Sequence, residues 1–265
     1  MLSLLLAGLV AAQGQALELS FADESGLTSV EVLWNGREVP FAHRGSRWLT
    51  VLGVDLARPA GQTTVDVTFR FSDGHSRVDH EPITVRARSF PTTRLEVDDR
   101  YVELSPADQA RAAREAKEIA GIYATLTPEA FWTRAFEAPI PGATNGRNFG
   151  HRRVFNGHPK APHSGADLKA ALGTPIHAAN GGRVVLAKSL FYSGNAVFID
   201  HGLGLYTTYL HLSEIRVRAG QRVERGEVIG LSGATGRVTG PHLHWGVRIL
   251  DARVDPFSLL RIGIP

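Results

Sequence analysis

Two imidazoles and a carboxylate can be drawn from the segments His163-Ser-Gly-Ala-Asp167 and His242-Leu-His244. Three such ligands hold a zinc ion and leave the fourth coordination position to water. That is the make-up of a hydrolytic site, whereas structural zinc sites close every position with protein groups. His163 and Asp167 are four residues apart, a spacing that puts both side chains on one face of a strand or a helix. His242 and His244 are two apart in an apolar segment running into Trp245-Gly246-Val247, so on a strand they too share a face. Two imidazoles side by side each lose solvation. That cost is understandable if one ring binds metal while the other moves protons beside it. His211, at the end of the strand-like run from Leu205, is a further proton carrier. The chemistry these residues point to is metal-dependent hydrolysis.

Five segments then occur in a fixed order: Asn148-Phe149-Gly150-His151-Arg152-Arg153, His163-Ser-Gly-Ala-Asp167, Val197-Phe-Ile-Asp-His201-Gly202, Tyr209-Leu-His211-Leu-Ser213 and Gly240-Pro-His-Leu-His244-Trp-Gly246. Together, over roughly residues 145–258, they resemble the lysostaphin-type (LytM-type) zinc metallopeptidases that cut peptide bridges in bacterial peptidoglycan. The resemblance implies one zinc ion per chain on His163, Asp167 and His244, with catalytic histidines at His211 and His242. It implies an endopeptidase acting on amide bonds of peptidoglycan stem peptides or cross-bridges. Some relatives have lost their ligands and activate other wall hydrolases, so a non-catalytic wall-binding scaffold is the alternative. All five positions are occupied here, which favours catalysis. In related proteins preceding segments can cover the metal site, with Asn145 or Asn148 as the residues that could approach it; linker and turn roles are the expectation for both. His151, His158, His177 and His201 are expected in structural or substrate-side places, and Asn195 and Tyr209 in packing or turns.

The elements that must position these residues read as mainly β. From Leu17 to about Val97, alternating runs such as Thr64 to Phe69 and Ile83 to Ala87, separated by Asn35-Gly36 and Asp73-Gly74 turns, predict a small β-sandwich. Ser105-Pro106-Ala107-Asp108 opens a helix that continues to about Thr125. Thr127-Pro128-Glu129 is expected to start a second, short helix carrying Phe131, Trp132 and Phe136, before a Pro- and Gly-rich linker to Thr144. Residues 145–265 then form the metallopeptidase domain, an antiparallel β unit with strands at Ala196 to Asp200, Leu205 to Leu212, Val228 to Leu231 and His242 to Ile249.

Composition sets the outer bounds. A chain of 265 residues with 43% hydrophobic and 21% charged residues has room for two packed cores. With no cysteine, thiolate metal sites and disulfides are excluded. Residues 151–265 carry 14 Lys and Arg against 7 Asp and Glu, while the first 150 carry 15 against 19. A basic C-terminal half suits an anionic polymer such as cell-wall glycan. Basic runs interleaved with aromatics are missing, which speaks against nucleic acid. The apolar run from Leu2 to Ala12, ending Gly14-Gln15-Ala16, is expected to be a signal peptide cleaved after Ala16. An exported protein of the periplasm or cell envelope, without a stable membrane span in its mature form, is the expectation. The N-terminal domain is then free to meet a protein partner.

Overall fold

In the computed structural model, which describes residues 9–144, 146 and 148–264, strands dominate both halves of the chain. The N-terminal half holds a five-stranded sheet in the order Leu9–Ala12, Ser76–Arg86, Gly61–Phe71, Leu27–Trp34, Arg37–Pro40. A second sheet runs Ala16–Ala22, Arg47–Gly53, Ala42–Arg44. Their inner faces meet where Phe21 lies edge-on to Phe69, ring centres 5.1 Å apart, and where the Trp34 indole N–H donates to the Gly53 carbonyl at 3.0 Å. Val30, Val32 and Val67 are fully buried, as the two-residue alternation requires. Asn35 and Gly36 turn the chain with φ of 51° and 73°, the paired left-handed conformation of a two-residue hairpin loop.

The larger C-terminal sheet is antiparallel, in the order Gly165–Lys169, His242–Ile249, Leu205–Leu212, Gly194–Asp200, Gly182–Leu190, Arg222–Val223. Along His242–Ile249 the odd-numbered residues Leu243, Trp245, Val247 and Ile249 are wholly buried in the core. His242 and His244 therefore project from the opposite face. Register places Asp167 directly across from His244 and Lys169 across from His242.

The long helix forms as the sequence predicts, over Pro106–Ala124, with the Ser105 hydroxyl accepting from the Asp108 N–H at 3.1 Å. The second helix expected from Thr127 does not form. Its backbone groups bond outward instead: the Thr127 carbonyl accepts from Leu203 N–H at 2.7 Å, and the Phe131 and Glu137 N–H groups donate to His201 and Ala179 carbonyls, each at 2.9 Å. Trp132 and Phe136 are buried in the core from this irregular segment. Tertiary hydrogen bonds and two anchored aromatics outweigh local helix preference.

Two N-terminal stretches are tied into the fold by long-range pairing. Leu9–Ala12 pairs in parallel with the strand Ser76–Arg86, and Ala11 is buried. The Gly14 N–H and carbonyl bond to Val54 and Asp255, and Ala16 N–H donates to Ser258 Oγ at 2.9 Å. A cut after Ala16 would remove these contacts from the fold; residues 1–8 lie outside the described residues. Farther along, Thr92–Leu95 pairs in parallel with Arg152–Phe155 and forms a wall of the groove described next. No helix among the described residues is long and apolar enough to cross a membrane.

Candidate metal centre

Asp167 and His244 face each other across adjacent strands, and His163 enters from the turn just before Gly165–Lys169. His163 Nε2 lies 2.9 Å from His244 Nδ1, and each of these nitrogens lies 3.2 Å from Asp167 Oδ1. A tetrahedral centre with bonds near 2.0–2.1 Å requires ligand atoms about 3.3 Å apart, so the triangle has the right size for one ion. Three inward-facing donors at these distances repel unless a proton or cation sits among them. The donor set thus fits a metal, which would displace that proton.

Neighbouring groups fix which atom of each ring faces inward. His163 Nδ1–H donates to the Asn148 carbonyl at 3.0 Å, freeing Nε2. The Asn148 side-chain amide donates to Asp167 Oδ2 at 3.3 Å, leaving Oδ1 to the triangle. Asn148, for which the sequence favours a linker or turn role, thus reaches the site; Asn145 lies outside the described residues. Gly165 is required by close approach, because a Cβ there would stand 2.5 Å from His244 Nε2 and from the Trp245 carbonyl oxygen. Burial by itself would raise the Asp167 carboxyl. Contacts with the His163 and His244 rings overcome it and hold the group well below the usual carboxylate range. His244 is pushed down to about 4, chiefly by burial, so it is a neutral donor at pH 7.

The two remaining histidines stand beside the triangle. The ring centre of His211 is 5.1 Å from His242 and 6.0 Å from His244. His211 Nδ1–H donates to the Thr235 carbonyl and His242 Nδ1–H to the Gly240 carbonyl, both at 2.8 Å. Each ring therefore keeps Nε2 for chemistry, and His242 Nε2 lies 3.6 Å from Asp167 Oδ1. Burial, followed by the nearby His244 and His242, pushes His211 down to about 3. A β-bulge aims His211: Asn195 pairs with Leu212 and Val197 with Tyr209, so Leu210 and His211 together oppose Ala196 alone. His211 takes a left-handed φ of 66°, a conformation that costs a non-glycine residue of order 1–3 kcal/mol.

All five residues singled out from the sequence converge on one cavity, lined also by Asn148, His151, Arg153 and Arg237. The other histidines have separate duties. His201 is fully buried and bridges the Gly181 carbonyl and Thr207 Oγ1, both at 2.7 Å. His177 bonds to the Gly226 carbonyl, and His151 Nδ1 to Thr93 Oγ1 at 2.7 Å. Tyr209 is core, its hydroxyl accepting from Ala179 N–H at 2.8 Å. Thr235 and Arg237 were not legible as site residues, since they sit in a loop without a chemical pattern of its own.

Residues 161–256 match peptidase family M23. A Pseudomonas aeruginosa crystal structure assigned to peptidase M23 superposes over 96% of this chain and 96% of its own, at 30% identity and a TM-score of 0.72. The chain belongs to peptidase family M23. Its metal centre lies within the matched residues, as the resemblance read from the motifs anticipates. Among curated M23-like relatives, the peptidoglycan DD-endopeptidase ShyA of Vibrio cholerae is 47% identical over 122 residues, 44% of this chain and 27% of that protein. The DD-carboxypeptidase/endopeptidase Mpg of Neisseria meningitidis is 42% identical over 111 residues, 42% of this chain and 26% of that protein. The matched segment thus spans about a quarter of the length of these relatives.

Proposed function

We propose that this M23 chain is a zinc endopeptidase that hydrolyses amide bonds in peptidoglycan, with bonds between D-configured residues as its first target, and that it acts in the cell envelope. The observation that carries the reading is the triangle of His163 Nε2, Asp167 Oδ1 and His244 Nδ1, flanked by two further imidazoles in one groove. The names of the ShyA and Mpg relatives support the substrate.

His163, Asp167 and His244 would hold the ion, one per chain. Two imidazoles and a carboxylate without thiolate suit zinc better than the oxygen-seeking magnesium or calcium. Bound there, zinc supplies Lewis acidity toward a carbonyl and lowers the pKa of water from 15.7 to about 7. The protein's share is proton handling and orientation. His211, held neutral, accepts a proton at Nε2 from the attacking water. His242, with Nε2 3.6 Å from Asp167 Oδ1, is placed to pass a proton to the leaving amine. The backbone carbonyls of Thr235 and Gly240 keep both rings in the productive tautomer. A complete donor set argues against the scaffold alternative, which needs neither metal nor proton carriers.

Mass spectrometry of cross-linked muropeptides, before and after incubation with zinc-loaded protein, tests this. Cross-linked species should fall to monomers, chelator should stop the reaction, and the products should identify the bond. Intact cross-links with zinc-loaded protein, or cleavage confined to glycine bridges, would contradict the proposed substrate.

A further inference from the structure

We propose that Arg153 and Arg237 form an anion subsite that reads a substrate carboxylate beside the scissile amide. This rests on the peptidase reading above. Both residues line the cavity that holds the metal ligands, yet they arrive from different elements. Arg153 lies on the strand Arg152–Phe155, and Arg237 on the loop between Val228–Leu231 and His242–Ile249. Their guanidinium carbons stand 5.4 and 4.8 Å from the centre of the same ring, Phe155, and Arg237 also lies 4.4 Å from the centre of Tyr192. Stacking on aromatic faces orients a guanidinium without using its N–H groups. Arg153 gives Nε–H to the Ala161 carbonyl at 3.1 Å, which leaves its terminal amino groups unspent.

What marks this pair is burial inside the groove without a counter-charge. Arg77, Arg88 and Arg253 each sit on carboxylates at 2.7–3.1 Å. Neither Arg153 nor Arg237 forms an ion pair among the described residues. The nearest influential acid, Asp167, is committed to the histidines. Burial, then the charge of Arg237, pushes Arg153 down to about 10, and burial lowers Arg237 as well; a guanidinium stays charged at neutral pH. Two desolvated like charges in one groove are costly until an anion arrives. A guanidinium fork matches a carboxylate in two-point contact, and a carboxylate is the anion that a peptide substrate brings next to an amide. The basic excess of residues 151–265 therefore has a focus inside the groove as well as on the surface.

The test uses two peptides identical except that the carboxylate flanking the scissile amide is free in one and a carboxamide in the other. Zinc-loaded full chain should prefer the free acid in kcat/KM by roughly tenfold to a hundredfold, the span expected for hydrogen bonds to a charged group. Arg237→Gln and Arg153→Gln should each lower that preference toward unity, chiefly through KM, and Arg237→Lys should restore part of it. Both peptides meet the same preparation, so partial loss of folding cancels from the ratio. A wild-type preference near unity, or one unchanged in both glutamine variants, overturns the subsite and leaves the peptidase reading standing. If wild type cleaves neither peptide, calorimetric titration with the same two decides. Tighter binding of the acid, abolished by Arg237→Gln, upholds the subsite and removes only the peptidase reading; equal binding overturns the subsite too.

Discussion

In the N-terminal sandwich, His75 meets Asp73 at 2.6 Å and His80 meets Asp66 at 2.7 Å, one ring to one carboxylate, all four side chains more than half exposed. Around Asp167 in the C-terminal sheet, three rings approach the single oxygen Oδ1 at 3.2, 3.2 and 3.6 Å, and His163 and His244 are buried. The residue types are the same, and the surface contacts are the shorter ones. The surface pairs are screened by water and contribute little. The buried cluster crowds donors about one point, and backbone carbonyls fix the inward-facing nitrogens of His163, His211 and His242. Convergence and burial distinguish a metal centre from an ion pair; short contacts alone do not.

The contrast can be broken by removing members of either set. The largest effect is expected from His244→Ala, which deletes a vertex of the triangle. Zinc content after dialysis and muropeptide cleavage should vanish together, whereas normal metal content would detach His244 from the site. Asn148→Ala leaves the three donors and the backbone carbonyl that holds His163 in place but releases Asp167 Oδ2. Metal affinity or turnover should fall roughly 10–100-fold, as outer-sphere changes do. Competition with a fluorescent chelator measures it, and an unchanged affinity would show that Asn148 does not orient the ligands.

A smaller effect concerns His201, buried like the ligands yet outside the cavity. Burial pushes it from its ordinary 6.5 down to about 4, so the folded chain holds the neutral ring while the unfolded chain takes up a proton. Its contribution to stability is complete above pH 6.5 and is lost as pH falls toward 4, by at most about 1.4 kcal/mol per pH unit. Denaturant melts between pH 7.5 and 4.5 should show a shallower acid decline for His201→Gln than for wild type. Equal slopes would contradict that assignment. The smallest effect is expected from His80→Ala, within about 0.5 kcal/mol of wild type in the same melts. A loss of several kcal/mol there would erase the distinction between the two halves.

Much of this was legible because Asp167, His242 and His244 sit in regular strands. The two-residue spacing of His242 and His244 survives in the structure as a shared face, and the four-residue spacing of His163 and Asp167 as a direct contact. The bulge that turns His211 inward was not legible, since it arises from pairing with Gly194–Asp200 rather than from local preference. For the same reason the segment from Thr127 to Glu137 reads as helix but is irregular, held by carbonyls and N–H groups more than 40 residues away in sequence. Gly165 suggests a bend on sequence grounds; in the structure it makes room for the His244 ring. The pairing of Thr92–Leu95 with Arg152–Phe155 joins a stretch assigned to the N-terminal domain to the groove wall, a long-range contact that no local pattern encodes.

The most direct measurement is anomalous diffraction at the zinc edge from crystals of zinc-loaded protein. A single strong peak per chain should lie within about 2.0–2.2 Å of His163 Nε2, Asp167 Oδ1 and His244 Nδ1. A peak coordinated by other side chains, or none at these three atoms in fully loaded crystals, would contradict the account.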